Sequence, residues 1–217
     1  MRSLLHIDMN ACYASIECLY DPSIRNLPVA VGGDVEARHG IILAKNQIAK
    51  RYGVKTGDWF YDAVAYVYAN GLMDGTSATT FEPNANMTRA MVWAILARID
   101  GETVTGADWA SAARAWAMAE GVSDGTDPNG LVTREQFATM LYRYAVAQGY
   151  DVSIGESTNI LSYADFASIS EWAIPAMQWA CGSGVITGVT DSTLVPQGTA
   201  TRAQAAAMLM RFCENVK

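Results

Sequence analysis

Three Thr-Arg pairs stand at the head of apolar-periodic runs: Thr88-Arg89, Thr133-Arg134 and Thr201-Arg202. A threonine in that position caps a helix and places the following arginine in the first turn, beside backbone N–H groups that have no partner inside the helix. A guanidinium next to free N–H groups suits a carboxylate ligand. Gln136 and Gln204, three residues after their threonines, complete capping boxes, whereas Met91 holds the equivalent place in the first copy and cannot. Near the start of the chain, Asp8 closes a short apolar run that reads as a buried strand over residues 4–7. The four cysteines (12, 18, 181 and 213) have no metal-ligand spacing and read as buried free thiols.

The elements that must position these groups fall into two stretches of different character. Residues 1–57 carry 7 Lys+Arg against 5 Asp+Glu, and residues 58–217 carry 8 against 17. All six tryptophans follow residue 57 and both histidines precede it. The acidity of the second stretch argues against DNA as a partner. No apolar run reaches the roughly 18 residues that cross a bilayer. The N-terminus also lacks the apolar core of a secretory signal, so the sequence leads us to expect a cytoplasmic chain.

In the first stretch the patterning predicts strands over 4–7, 29–31 and 41–43, a helix over 11–19, a turn at Gly32-Gly33 and a helix over 45–52 stopped by Gly53. The segments HIDMNACYASIE, LPVAVGG and GIILAKNQIAKRYGVKTG resemble the N-terminal palm of Y-family (UmuC-like) DNA polymerases. The resemblance implies an α/β fragment, part of a polymerase palm, over residues 1–57. It also implies that Asp8 is a ligand of two Mg²⁺ ions, that Met9 offers a carbonyl, that Tyr13 is a steric gate against ribonucleotides, and that Lys50 and Arg51 lie near an incoming triphosphate. The family's second acidic cluster, a Ser-x-Asp-Glu stretch, has no counterpart after residue 57. One carboxylate does not hold two metal ions, so these residues are expected to be an inactive remnant.

Beyond residue 57 a unit of helix, GxxxG turn, Pro loop and helix occurs three times. Its turns are Gly71 to Gly75, Gly121 to Gly125 and Gly184 to Gly188, with Gly71, Gly121 and Gly184 as left-handed helix stops. The Thr-Arg pairs are spaced 45 and then 68 residues apart, and residues 149–169 read as a longer polar linker. One unit cannot bury both its helices, so stacking three should bury Trp93, Leu96, Phe137, Leu141, Met208 and Phe212. The units resemble S-layer homology (SLH) domains.

That resemblance implies an all-α helical repeat module of pseudo-threefold form following the α/β fragment, with repeats over 58–105, 106–150 and 151–217. It implies secondary cell wall polysaccharide, often bearing pyruvate ketals, as the partner, contacted by Arg89, Arg134 and Arg202 with Gln136 and Gln204 beside them. It implies a cell wall location, at odds with the missing signal, and no cofactor; Mg²⁺ would matter only to a working polymerase site. Oligomeric state stays open. The junction Gly57-Asp58 lies inside the palm and not at a domain edge, where a natural fusion would rarely cut, so the sequence reads as a gene rearrangement, a frameshifted remnant or a sequence assembled from two genes.

Overall fold

The computed structural model describes residues 30–32, 42–45, 58–77 and 80–217. In the first stretch two strands are described, β1 (Ala30–Gly32) and β2 (Ile42–Lys45). They pair antiparallel, with Ala30 opposite Lys45 and a register shift between Val31 and Gly32. The link between them, residues 33–41, is shorter than the dozen or so residues that a parallel crossover needs. Gly32 ends the first strand rather than opening the turn, and Lys45 ends the second rather than opening a helix. The predicted strand over 4–7, the helix over 11–19 and the remainder of the predicted helix over 45–52 lie outside the described residues.

The chain divides into two compact units. The first contains α1 (Tyr61–Ala69), which buries Tyr61, Ala63, Val64 and Val67. The second comprises residues 71–73 and 83–217. It contains α2 (Arg89–Ile99), α3 (Trp109–Ala119), α4 (Arg134–Ala147), α5 (Ile154–Ser157), α6 (Ile174–Gly182) and α7 (Arg202–Asn215). Short 3₁₀ turns at Phe166–Ser168 and Glu171–Ala173 lead into α6. Within this unit α2 packs on α3, and α4 packs on α6. No helix among the described residues is long and apolar enough to cross a membrane.

Local chemistry sets the helix starts. Thr88, Thr133 and Thr201 are N-caps with extended backbone, and each hydroxyl accepts from the N–H three residues on. Gln136 and Gln204 return the bond to their threonines, forming two capping boxes; Met91 leaves the first cap one-sided. Gly71, Gly121 and Gly184 follow α1, α3 and α6 with φ of 65°, 68° and 74°. At Gly121 no atom lies within 4 Å of where a Cβ would stand, so the need for glycine there is purely one of backbone conformation.

The caps then join across the unit. Met87 N–H donates to Ala200 O at 2.9 Å, Ala200 N–H to Val132 O at 2.9 Å, and Val132 N–H to Met87 O at 3.0 Å. This closed ring of three bonds links segments far apart in sequence and lies among side chains with no solvent exposure. Outside the ring, each helix head docks on the Pro loop of another segment. Arg89 and Ala90 N–H donate to Gly130 and Pro128, Arg134 and Glu135 to Gly198 and Pro196, and Arg202 and Ala203 to Ala85 and Pro83. The first-turn donors of all three helices are therefore spent inside the protein.

The residues before those prolines, Glu82, Asp127 and Val195, all have positive φ, at 53°, 45° and 52°. Such a conformation costs about 1–3 kcal/mol for a non-glycine residue and persists only where surrounding bonds over-determine it. The six residues expected in the core are buried, with Trp93, Leu96, Phe137, Leu141 and Phe212 at 0% exposure and Met208 at 2%. Each such side chain contributes about 1.5–3 kcal/mol relative to an exposed position.

Residues 149–169 are more than a polar linker. They contain α5, which packs on α6 so closely that a Cβ on Gly155 would meet the Trp179 backbone at 3.1 Å. Ile160 and Ile169 are buried in the same stretch. Asp165 accepts from the N–H groups of Leu194 and Val195 at 2.7–3.1 Å, tying the stretch to the third Pro loop. The extra residues thus make long-range contacts that polarity alone does not reveal.

Candidate functional site

Arg89 leaves the first turn of α2 and crosses to the loop after α3. Its Nε donates to Thr126 O at 2.9 Å, and its Nη2 donates to Ser123 Oγ at 3.1 Å and to Asp124 Oδ1 at 2.9 Å. Its guanidinium also lies 5.5 Å from the ring centre of Trp93. The Asp124 carboxylate accepts from both N–H and hydroxyl of Thr126, at 3.0 and 2.8 Å. These bonds, with the Arg89 charge and Ser123 adding to them, hold its pKa below the usual carboxylate value.

Arg134 occupies the same place on α4 but points inward. It is 4% exposed, and its Nε donates to Leu194 O at 2.8 Å. Desolvation by burial lowers its pKa. Arg202 is 8% exposed, and its N–H is engaged by Ala85 O. Burial of Arg134 and Arg202 sets them apart from the solvent-facing ligand contacts that the sequence suggests. Docking of the helix heads does not decide this, because the head carrying Arg89 docks in the same way; the difference lies in what each side chain meets, Ser123 and Asp124 for Arg89 and the Leu194 carbonyl for Arg134.

Gln136 and Gln204 spend their Oε1 atoms on the cap N–H groups of Thr133 and Thr201, both at 3.1 Å. Gln136 also lines a groove of about 190 Å³. The other walls are Arg89 of α2, the loop residues Val122, Ser123 and Asp124, then Thr139, Met140 and Arg143 of α4, and Trp172 from the 3₁₀ turn. Sequence reasoning missed Arg143 and Trp172. Arg143 is exposed, and its Nη1 reaches Val122 O at 3.5 Å, the outer limit of a hydrogen bond. Trp172 is 55% exposed.

A buried carboxylate supports that wall. Glu135, 2% exposed, accepts from Ser170 N–H at 3.0 Å, Ser170 Oγ at 2.8 Å and Gln197 Nε2 at 2.8 Å. Ser170 is the N-cap of the turn that carries Trp172, so Glu135 fixes where the indole stands.

Signals for both missed residues were present in the repeat. An arginine follows each motif arginine by nine residues, at Arg98, Arg143 and Arg211, and a tryptophan precedes each stop glycine by twelve, at Trp59, Trp109 and Trp172. Arg98 and Arg143 serve alike: Arg98 Nη1 donates to Leu72 O at 3.1 Å, as Arg143 does to Val122 O, in each case to the residue after the stop glycine.

The polymerase-like residues Asp8, Met9, Tyr13, Lys50 and Arg51 lie outside the described residues. Among the described residues no group of His, Cys, Asp and Glu side chains could hold a metal ion.

Repeated Thr-capped helix heads that dock in a ring define the second unit as a helical repeat module, and a stretch with palm-like wording precedes it. Comparison with known proteins agrees with both halves. The chain belongs to the impB/mucB/samB family, whose model matches residues 7–162, and it carries an S-layer homology domain at residues 162–206. It is 58% identical over 62 residues to DNA polymerase IV of Acetivibrio thermocellus, covering 29% of this chain and 16% of that protein. It is 29% identical over 209 residues to an amylopullulanase of Thermoanaerobacterium thermosulfurigenes, covering 85% of this chain and 11% of that protein. An endoglucanase of a Bacillus species is 31% identical over 169 residues, covering 72% of this chain and 18% of that protein. The chain thus spans less than a fifth of the length of each of these relatives. A Y-family polymerase segment joined to S-layer homology sequence describes the two parts. Residues 58–162, although inside the span of the first family model, form the helices α1 to α5.

Proposed function

We propose that residues 58–217 hold the chain on secondary cell wall polysaccharide, and that residues 1–57 are a polymerase-palm remnant without polymerase activity. In this reading the three repeats run over 58–105, 106–150 and 151–217. The observation that carries it is the groove in which Arg89, Gln136, Arg143 and the exposed Trp172 converge. Cationic donors beside an indole face suit an acidic sugar: the guanidinium meets a carboxylate, and the indole covers the apolar face of a pyranose ring. The S-layer homology match and the two polysaccharide-enzyme relatives support the same reading. The test is co-sedimentation of the whole chain with isolated cell walls before and after chemical extraction of their secondary polysaccharide. Binding that survives the extraction unchanged would refute the proposal.

The identity to DNA polymerase IV motivates a second reading, template-directed nucleotide addition in DNA repair. It requires two Mg²⁺ ions, for which Asp8 supplies one carboxylate and Met9 a carbonyl. The net acidity of residues 58–217 opposes DNA binding. Primer extension with Mg²⁺ by the purified chain distinguishes the readings, and extension above background would favour the second.

A further inference from the structure

The three Pro loops differ in the pair that follows each proline: Asn84-Ala85, Asn129-Gly130 and Gln197-Gly198. The second and third are closed turns, Gly130 N–H donating to Asp127 O at 3.0 Å and Gly198 N–H to Val195 O at 3.1 Å. The carbonyls of Ala85, Gly130 and Gly198 receive the N–H groups of Arg202, Arg89 and Arg134. One docking role is thus filled by alanine in the first copy and by glycine in the others. Gly130 is not among the residues with positive φ, so its backbone makes no demand for glycine; a Cβ there would run into the Asp127 carboxylate.

Only the second pair joins the amide of an exposed asparagine to a residue with no side chain. Once a solvent base takes its proton, Gly130 N can bond to Asn129 Cγ, with no Cβ to obstruct the approach. The Cγ–Nδ2 bond then breaks, Nδ2 leaves as ammonia with the proton returned, and a cyclic imide remains. Solvent water adds to one of the two imide carbonyls and the C–N bond at that carbon breaks. Opening at Cγ gives aspartate. Opening at the main-chain carbonyl gives isoaspartate, whose main chain runs through Cγ and is longer by one methylene. The sum is amide plus water to acid plus ammonia, with no change of oxidation state.

The other candidates are each hindered. Ala85 puts a Cβ beside the nitrogen that would attack Asn84, and Gln197 spends its Nε2 on Glu135 and on Ser168 O. Asn70-Gly71 is the chain's other Asn-Gly pair, and Asn70 Nδ2 donates back to Tyr66 O at 2.9 Å, on α1. At Asn129 the obstacle is docking. The attacking N–H is engaged by Asp127 O, and the turn is held from outside by Arg89 N–H on Gly130 O and Ala90 N–H on Pro128 O, both at 3.0 Å.

We propose that Asn129 is a self-modification site: it deamidates through Gly130 N when the second Pro loop lifts from the head of α2, and the isoaspartyl product keeps that loop from docking as before. The added methylene separates the carbonyls of Pro128 and Gly130, which no longer match the consecutive N–H groups of Ala90 and Arg89. The conversion is one-way, so it records how often the loop has opened.

The test is incubation of the full chain at pH 8, in buffer and in urea, with peptide mass spectrometry that resolves aspartate from isoaspartate. Asn129 lies in a tryptic peptide, residues 115–134, that holds no other asparagine. Asn129 should convert ahead of Asn70, Asn84 and Gln197. It should convert at least about tenfold more slowly in buffer than in urea, the factor that about 1.4 kcal/mol of local opening imposes. Asn129→Gln, which copies the third loop, should leave that peptide unconverted. After urea is removed, the aged chain should melt below the fresh chain and below N129Q aged in the same way, while fresh N129D, with the charge but not the methylene, should lose less. Conversion of Asn70 or Asn84 ahead of Asn129 overturns the site, and equal rates in buffer and urea overturn its control by docking. An aged chain that melts like aged N129Q, or no lower than fresh N129D, overturns the effect on the loop.

Discussion

Arg134 Nε donates to the carbonyl oxygen of Leu194 at 2.8 Å, across sixty residues of chain and from a side chain that is 4% exposed. Arg89 makes the corresponding bond to Thr126 O, but lies at the edge of a groove with its charge matched by Asp124. The same motif residue is therefore a buried staple at one place and a groove wall at the other.

Loss of the staple should be the more damaging. Arg134→Gln is expected to lower unfolding free energy by about 2–3 kcal/mol, since a charge-assisted bond is lost and the buried Leu194 carbonyl loses its donor. Arg89→Gln should cost no more than about half as much, because its partners are partly hydrated. Midpoints of urea unfolding followed by tryptophan fluorescence would check the order; equal losses would contradict it.

Val195 offers a substitution that should stabilise. Its φ of 52° is unfavourable for a β-branched side chain, while its N–H is held by Asp165 and the side chain is 40% exposed. Asparagine tolerates that conformation and keeps the N–H. Val195→Asn should therefore raise stability by about 1 kcal/mol. A lower melting temperature would show that packing of Val195 outweighs its backbone strain.

The Asp165 clamp predicts an acid limb. Burial pushes the Asp165 pKa up, but the bonds from Leu194 and Val195 N–H, aided by the Arg134 charge, bring it below the usual carboxylate value. A folded-state pKa below the unfolded one contributes stability that is full above the unfolded value, about 3.9, and is lost as pH falls through the folded value. Thermal melts from pH 6 to pH 2 should show a fall below about pH 4 that is shallower in Asp165→Asn. Identical acid limbs would remove Asp165 as a contributor.

Burial pushes the Cys181 thiol up to about 11, with Arg134 opposing the shift. The thiolate is the reactive form, so iodoacetamide at pH 8 should label Cys181 slowly in the folded chain and quickly in urea. Peptide-resolved mass spectrometry separates it from the other three cysteines. Rapid labelling without denaturant would count against the buried environment.

The parts of this protein that could be read directly from the sequence are those decided within one turn of chain. Thr133 and Gln136 are three residues apart and cap each other whatever surrounds them. Gly121 takes its positive φ because the helix ends there. Repetition of these local signals was enough to locate the helical units and the residues buried between them. The groove was not legible in this way, although Arg143 and Trp172 recur at regular spacings. A spacing places a residue on an element but does not say which segment that element meets.

Tertiary structure made that decision. Arg89 met a loop carrying Ser123 and Asp124, two polar residues that hold it at a groove. Arg134 met one carrying Ile186 and Thr187 at the same places, and is buried on a carbonyl instead. Residues 149–169 looked polar, yet Gly155 let α5 lie against Trp179, and Asp165 found its donors some thirty residues away. Capping is settled by groups a few bonds apart. The fate of a long cationic side chain is settled by the desolvation and hydrogen bonding available where it lands, and that place exists only once the segments have packed.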